Sequence, residues 1–368
     1  MQTHKMEKTK VLIVGGGPAG ATAAKLLAEN RIDVILLERN LSFVKPCGGG
    51  IPLSAFEEFN IPRTPIKKEV KNIKVISPKG EALEIELKSG SLAIVERGEF
   101  GRCLRNISEK KGAKIIEGEF VRFIKDKETY KIEAHIGKET IEILSEYIIA
   151  ADGVNSRVRA FMGIKPPASI STLSEHIRGL KTESCEFWFG SSYAPVAYSW
   201  VFPTADGVSA GTGSIKKEKI RLLFERFKKR RGITEEGQKR SYRIPLWKGD
   251  LYNKDRIIFA GDSAGHVLPL ACEGIYYAMK AGEFAAMAII ERNANNYKKI
   301  WKSMFQKRFA LMNRLRNYFL KDDISIEKLV ALHRIPEVQE ASMRLWLRKD
   351  NSSLGIKEYI RLFRKFLR

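Results

Sequence analysis

Residues 10–20 read KVLIVGGGPAG, and residues 33–38 read DVILLE. Two short apolar runs of this kind, separated by an amphipathic stretch with Pro18 in its first turn, predict strand, helix over 18–29, strand. The turn between the first strand and the helix fits G-x-G-x-x-G, with Gly15, Gly17 and Gly20 at its fixed positions. The first glycine permits the tight turn, the second a close approach of backbone to a pyrophosphate, and the third tight packing of helix on strand. Pro18 and Ala19 complete the loop, where the helix N-terminus offers free N–H groups to phosphates. Glu38 ends the second strand, where a carboxylate accepts ribose hydroxyls. A glycine-rich turn without a ligand would need neither the flanking strand and helix nor that carboxylate.

Two later segments choose between dinucleotides. ADGVNSRVR (151–159) and DRIIFAGDSAG (255–265), the latter continuing to Pro269 and Glu273-Gly274, resemble the "DG" and "GD" signatures of flavoproteins related to the aromatic hydroxylases. The resemblance implies FAD. It puts Asp262 near the ribityl or ribose part of the cofactor. It also aims the N-terminus of a helix beginning at Gly274 and Ile275 at the flavin ring, where a helix dipole favours negative charge on the reduced ring. Asp152 braces its loop. Arg97 opens a helix (ERGEFGRCL) at a place where relatives touch the cofactor's phosphates. Gly101 stands where they often carry an acid, so the match there is partial, and a plain helix-start arginine is the competing reading.

KPCGGGIP (45–52) and PVAYSWVFP (195–203) together resemble the geranylgeranyl reductase family, FAD enzymes that saturate isoprenoid double bonds. The second stretch matches P-x-x-Y-x-W-x-F-P at every fixed position, and the resemblance covers roughly residues 10–300. It implies a reduction in which hydride leaves the reduced flavin and a proton reaches the other alkene carbon. Tyr198, Trp200 and Phe202 alternate, so on a strand they share one face, one suited to gripping a prenyl chain. Ordinary core packing is the alternative. Cys47 is a candidate proton donor or alkene-positioning group, or else a small apolar filler. Gly48 and Gly49 would let the backbone pass close to the flavin, and Gly50 would keep the substrate side open. His266 is either a flavin contact and proton relay or a structural histidine.

The fold class expected is α/β: an FAD-binding doubly wound (Rossmann-like) domain, an antiparallel β-sheet substrate domain and a C-terminal helical region. Residues 1–60, 92–165 and 247–300 would form the first, 61–91 and 166–246 the second, and 301–368 the third. The expected strands include 146–153 and 256–262, the expected helices 98–111, 216–231 and 271–290. The uncharged run Phe187 to Ala205 reads as strand, turn, strand.

The chain has 368 residues and a net charge of +22, which favours polyanionic partners. Residues 291–368 carry 19 Lys/Arg against 8 Asp/Glu, half of that surplus. LGIKEYIRLFRKFLR (354–368) spaces its apolar residues as a basic amphipathic helix, which either lies on an anionic membrane or packs on the domain. Cys47, Cys103, Cys185 and Cys272 form no CxxC pair, so no metal site or disulfide framework is signalled and a reduced, cytoplasmic setting is expected. The N-terminus carries no secretory pattern.

Three functions compete: prenyl-chain reductase, FAD-dependent aromatic monooxygenase and nucleic-acid-binding flavoprotein. The cysteine–glycine stretch and the aromatic motif favour the first, and no RNA-binding signature supports the last. Expected partners are a prenylated lipid, quinone or tetrapyrrole, an anionic membrane at the inner face of the cell membrane, and a redox donor. The donor is open between NAD(P)H and ferredoxin, since no second G-x-G-x-x-G is present.

Overall fold

The computed structural model describes residues 6–363 except 89, 250, 350–356 and 358. The chain begins with β1 (Met6–Val14), α1 (Pro18–Glu29), β2 (Val34–Glu38), β3 (Gly50–Pro52), α2 (Ser54–Glu58), β4 (Ile66–Val70), β5 (Asn72–Ile76), β6 (Ala82–Glu86) and β7 (Leu92–Val95). It continues through α3 (Arg97–Lys110), β8 (Lys114–Glu117), β9 (Glu119–Asp126), β10 (Thr129–Ile136), β11 (Glu139–Ala150), α4 (Arg157–Phe161), β12 (Ser169–Arg178), β13 (Cys185–Trp188), β14 (Ser199–Pro203), β15 (Gly207–Ser214), α5 (Ile220–Arg231) and β16 (Gln238–Pro245). The last part holds β17 (Asn253–Lys254), β18 (Ile257–Phe259), α6 (Ile275–Ile290), α7 (Asn295–Phe319), α8 (Asp323–Leu332) and α9 (Pro336–Trp346).

The chain divides into two compact units. The first comprises Met1–Val44, Gly101–Ala168 and Pro245–Gln306; the second comprises Lys45–Phe100, Ser169–Ile244 and Lys307–Arg368. Residues 45–60, 92–100 and 307–368 thus belong to the second unit, although the sequence suggested the cofactor domain for the first two and a separate region for the third. The reason is pairing: β3 and β4 both bond to β7, and α9 packs on the second unit's sheet.

In the first unit β1 lies at the centre, parallel to both β2 and β11, in the order β17-β18-β11-β1-β2-β8. A strand with neighbours on both edges and cover on both faces reads as an unbroken apolar run, and Val11, Leu12, Ile13 and Val14 are all buried. Helix α1 packs against α6 through bare backbone: a side chain at Gly282 would overlap the Ala19 carbonyl. The small residues of α6 are what permit this approach. Two elements differ from the sequence reading. TIEIL and EYIIA form one 12-residue strand, β11, because β1 and β10 pair along its whole length. Residues 271–274 are not helical; Leu268 pairs with Glu273 in an isolated bridge, and α6 starts at Ile275.

The second unit is built on a seven-stranded sheet, β16-β12-β15-β14-β13-β5-β6, and a small antiparallel sheet, β3-β7-β4. Phe187 to Ala205 does form strand, turn, strand: β13 and β14 pair antiparallel. Alternation along β14 sorts its residues. Val201 packs with Phe224 and Phe227 of α5 on one face, while Trp200 and Phe202 join Met343 and Leu347 on the other. Burial of such side chains stabilises by about 1.5–3 kcal/mol each. Of the 354–368 segment, only 357 and 359–363 are described, and they are helical. Tyr359 and Phe363 are buried there, stacked at 4.5 Å, with Phe363 against Phe319. The remainder of the expected basic helix lies outside the described residues.

Candidate functional site

In the first unit the three motif glycines do different work. Gly15 has φ +105°, and a side chain there would overlap the Ala151 carbonyl. At Gly20 a side chain would overlap the carbonyl of Gly15. Gly17 is different: it precedes α1 with ordinary extended dihedrals, and a Cβ there would meet nothing within 4 Å. No side chain caps α1, whose first helical residues are Pro18 and Ala19. Open space beside uncapped N–H groups at a helix N-terminus is what a pyrophosphate requires.

Glu38 ties this loop to β2. Its Oε2 accepts from the Gly16 N–H at 2.6 Å and its Oε1 from Asn40 N–H at 3.0 Å. Each carboxylate oxygen retains lone-pair capacity for a ribose hydroxyl. Arg105, on α3, adds a cation that sequence reasoning missed. Its Nη2 donates to Leu41 O at 2.7 Å and its Nη1 to Gly16 O at 3.4 Å. The available signal was an arginine on the inward face of α3, between the buried Leu104 and Ser108.

Asp262 sits in the turn after β18, 8% exposed. The turn is held from both sides. Ser263 Oγ donates to Ala260 O at 2.9 Å and also to Ala150 O, while Arg159 Nη1 donates to Ser263 O at 2.7 Å. Asp152 Oδ2 accepts from Arg157 N–H at 2.7 Å and Val158 N–H at 3.2 Å, capping α4. Burial pushes its carboxyl pKa up, against the pull of those hydrogen bonds. Gly274 lies beside Asp262, where a Cβ would stand 3.5 Å from Oδ1. Ile275 is the first residue of α6, whose N-terminus again has no side-chain cap.

His266 follows the same turn but points into the interior. It is 1% exposed and stacked on Trp301 at 3.7 Å between centroids, with Nδ1 3.3 Å from Tyr297 Oη. Burial pushes its pKa down to about 3, so the ring is neutral at ordinary pH. These surroundings fit the structural alternative rather than a proton relay.

In the second unit Arg97 opens α3. Its Nε and Nη1 are buried with no hydrogen-bond partner. A guanidinium left in that state costs free energy, and an anion with paired oxygens would satisfy it. Its neighbour Glu96 caps the helix, accepting from Gly98 N–H at 2.9 Å and Glu99 N–H at 2.5 Å. The Cys47–Gly50 loop lies against Phe202 and Val95. A Cβ at Gly48 would stand 2.6 Å from the Phe202 ring and one at Gly50 3.3 Å from it. Gly49 has φ +78°, and a Cβ there would be 2.7 Å from Val95 O. Cys47 is half-buried, and its Sγ accepts from the Gly49 N–H at 3.3 Å.

Tyr198, Trp200 and Phe202 do share one face, in a cluster completed by Phe187 and α9. Phe187 meets Tyr198 at 5.3 Å and Phe202 at 5.1 Å, both edge-to-face, and Trp346 meets Phe187 at 6.0 Å. Phe187 and Trp346 escaped the sequence reading because their contact spans the length of the unit's chain. Gly211, opposite Trp200 on β15, leaves room for the indole.

In the first unit, a glycine turn with open space at Gly17 and a carboxylate at Glu38 with spare acceptor capacity fit the requirements of a dinucleotide. The family model described as FAD binding domain matches residues 8–291, so the protein is an FAD-binding flavoprotein. Within that class it is 32% identical to geranylgeranyl diphosphate reductase of Oryza sativa subsp. japonica, over 84% of this chain and 72% of that protein. It is 27% identical to digeranylgeranylglycerophospholipid reductase of Methanocaldococcus jannaschii, over 88% and 89%. A solved geranylgeranyl bacteriochlorophyll reductase-like protein from Thermoplasma acidophilum shares its fold, with a TM-score of 0.84, 22% identity and coverage of 98% and 99%. The chain belongs to the geranylgeranyl reductase family.

Proposed function

We propose that this protein reduces carbon–carbon double bonds of a geranylgeranyl or longer polyprenyl chain carried by a membrane-resident molecule. Similarity over nearly the whole chain to reductases named for such substrates supports the reading. The observation in the structure that carries it is the Gly48–Gly50 loop seated on the Phe202 ring, which itself belongs to the aromatic cluster with Tyr198 and Phe187.

When bound and reduced, FAD supplies a hydride. An isolated trisubstituted alkene has no carbonyl to polarise, so orientation contributes most of the acceleration. In this reading the aromatic face holds the chain by its apolar surface, and Cys47 holds a proton at Sγ for the second alkene carbon. The Gly49 N–H orients the sulfur. Glu38, Arg105 and the Gly17 turn hold the adenosine side of the cofactor, Arg97 its phosphates, and Asp262 with Gly274 and Ile275 the flavin side. Trp200, packed between β14 and β15, keeps the face rigid. His266 receives no part. Peripheral membrane contact follows from the substrate; no helix among the described residues is long and apolar enough to cross a membrane.

The test is anaerobic incubation of the reduced holoenzyme with prenylated lipids, quinones, tetrapyrroles and diphosphates, read by mass spectrometry. Gains of two hydrogens are expected. Hydroxylated product under air, with no such gain on any prenyl compound, would sink the reading. Cys47→Ala and Cys47→Ser should retain FAD and lose about 100-fold or more in turnover, the lower end of the range for a missing proton donor. Normal turnover by both would leave the thiol as filler.

A further inference from the structure

Helix α5 uses one face for the core: Ile220, Phe224 and Phe227 pack beneath β12, β14 and β15. The other face, with the turn before it, is basic. Between 215 and 231 the exposed charges are Lys216, Lys217, Lys219, Arg221, Arg226, Lys229 and Arg230 against Glu218 and Glu225. Among the described residues, Lys216, Lys217, Lys219, Arg221 and Lys229 have no carboxylate within ion-pair distance, whereas Lys228 and Arg231 on the inner side are paired with Glu175 and Glu186. The outward charge is therefore uncompensated by the protein itself.

Large apolar side chains project from this basic surface. Leu222 is 52% exposed and Ile215 49%. Ile324, at 72%, stands at the start of α8, which is tied to the same surface: Asp323 accepts from Ser191 N–H at 2.7 Å, and Arg226 donates to the next residue's carbonyl, Ser192 O, at 3.4 Å. A second tie runs through the 78–80 turn, where Glu327 accepts from Lys79 N–H at 2.8 Å and Arg230 donates to Pro78 O at 3.3 Å. Protruding aliphatic groups ringed by unpaired cations match an anionic bilayer surface in both charge and polarity. The C-terminal segment, whose periodicity left membrane surface and packing on the domain both open, is a poorer match, because its Tyr359 and Phe363 are packed inward.

We propose that the outer face of α5, with Ile215 and Ile324, docks this protein on an anionic membrane leaflet. The proposal goes beyond the reductase reading and rests on it only for the presence of a membrane-borne substrate.

The full-length holoenzyme is to be sedimented with phosphatidylcholine vesicles containing about 30% phosphatidylglycerol, and with phosphatidylcholine alone, at low and high salt. Salt-sensitive binding to the anionic vesicles only is expected. Lys217→Glu/Lys219→Glu/Arg221→Glu should reduce it about tenfold or more, since each cation near an anionic surface contributes substantially. Leu222→Ser/Ile324→Ser should weaken the binding that survives high salt. Both variants should keep bound flavin and turn over a detergent-dispersed prenyl substrate as the parent does. Undiminished binding by the charge-reversed variant, or a parent that ignores anionic vesicles and instead retains RNA or an acidic protein, would overturn the proposal. Failure of the reductase reading would show separately, as absent turnover in detergent with vesicle binding intact.

Discussion

Two glycine-rich loops serve opposite ends in this molecule. In the Gly15–Gly20 loop of the first unit, Gly15 and Gly20 yield to backbone of the protein itself, but Gly17 faces nothing within 4 Å. In the Gly48–Gly50 loop of the second unit every glycine faces the protein: Gly48 and Gly50 the Phe202 ring, Gly49 the Val95 carbonyl. The first loop leaves open space at Gly17; the second uses its bare backbone to seat itself against an aromatic ring and a backbone carbonyl. The same residue type thus leaves space open in one place and closes packing in the other.

The comparison breaks most easily at Gly17. Gly17→Val should lower FAD affinity by about 100-fold, or about 3 kcal/mol, while the apoprotein melts within about 1 °C of the parent, a shift that corresponds to less than about 1 kcal/mol. Flavin retention on dialysis and a thermal melt decide it; an apoprotein that fails to fold would show that the space is structural after all. Arg97→Met sharpens the ligand side. Removing a charge-assisted contact should weaken FAD binding by about 10- to 100-fold. The apoprotein should be no less stable, since two buried unpaired N–H groups go with the guanidinium. A destabilised apoprotein with unchanged FAD affinity would make Arg97 a structural residue.

On the packing side, Gly48→Ala should cost about 1–3 kcal/mol in denaturant unfolding, the usual range for overfilling a packed site. Phe202→Leu in the same chain should recover part of that, and additive losses would refute the contact. The smallest effect concerns His266. Its folded pKa, about 3, lies below the ordinary value of 6.5. The unfolded chain therefore binds a proton that the native protein refuses. This group's contribution to stability is complete above about pH 6.5 and is lost as pH falls toward 3. His266→Phe, which keeps the stack on Trp301, should flatten stability against pH between 6.5 and 5 by up to about 1.4 kcal/mol per pH unit. Loss of turnover at neutral pH in that variant, with flavin retained, would restore a catalytic part for the ring.

Much of the architecture was legible in advance. The β1–α1–β2 unit could be read because its requirements are local: an apolar run, glycines at fixed spacing, a carboxylate at the strand end. The same holds for β13–turn–β14 and for the shared face of Tyr198, Trp200 and Phe202, which follows from strand periodicity alone. Reading 271–290 as helix on its small residues started α6 four residues early, where the motif resemblance put the start at Gly274 and Ile275; the Leu268–Glu273 bridge that keeps 271–274 out of the helix is a tertiary pairing. The choice left open for the C-terminal helix, membrane surface or packing on the domain, met the same limit: periodicity finds an apolar face but not what covers it.

By itself the sequence determined a dinucleotide fold, FAD as the cofactor, and a reductase family, since each depends on residue types at short, fixed separations. Only the tertiary structure decided what the glycines of KPCGGGIP face, that Arg105 reaches Gly16 across 89 positions, that His266 is sealed against Trp301, and that Trp346 closes on Phe187. The physical reason is range. Backbone conformation answers to neighbours in the chain, whereas packing partners and burial answer to neighbours in space, which no local pattern records.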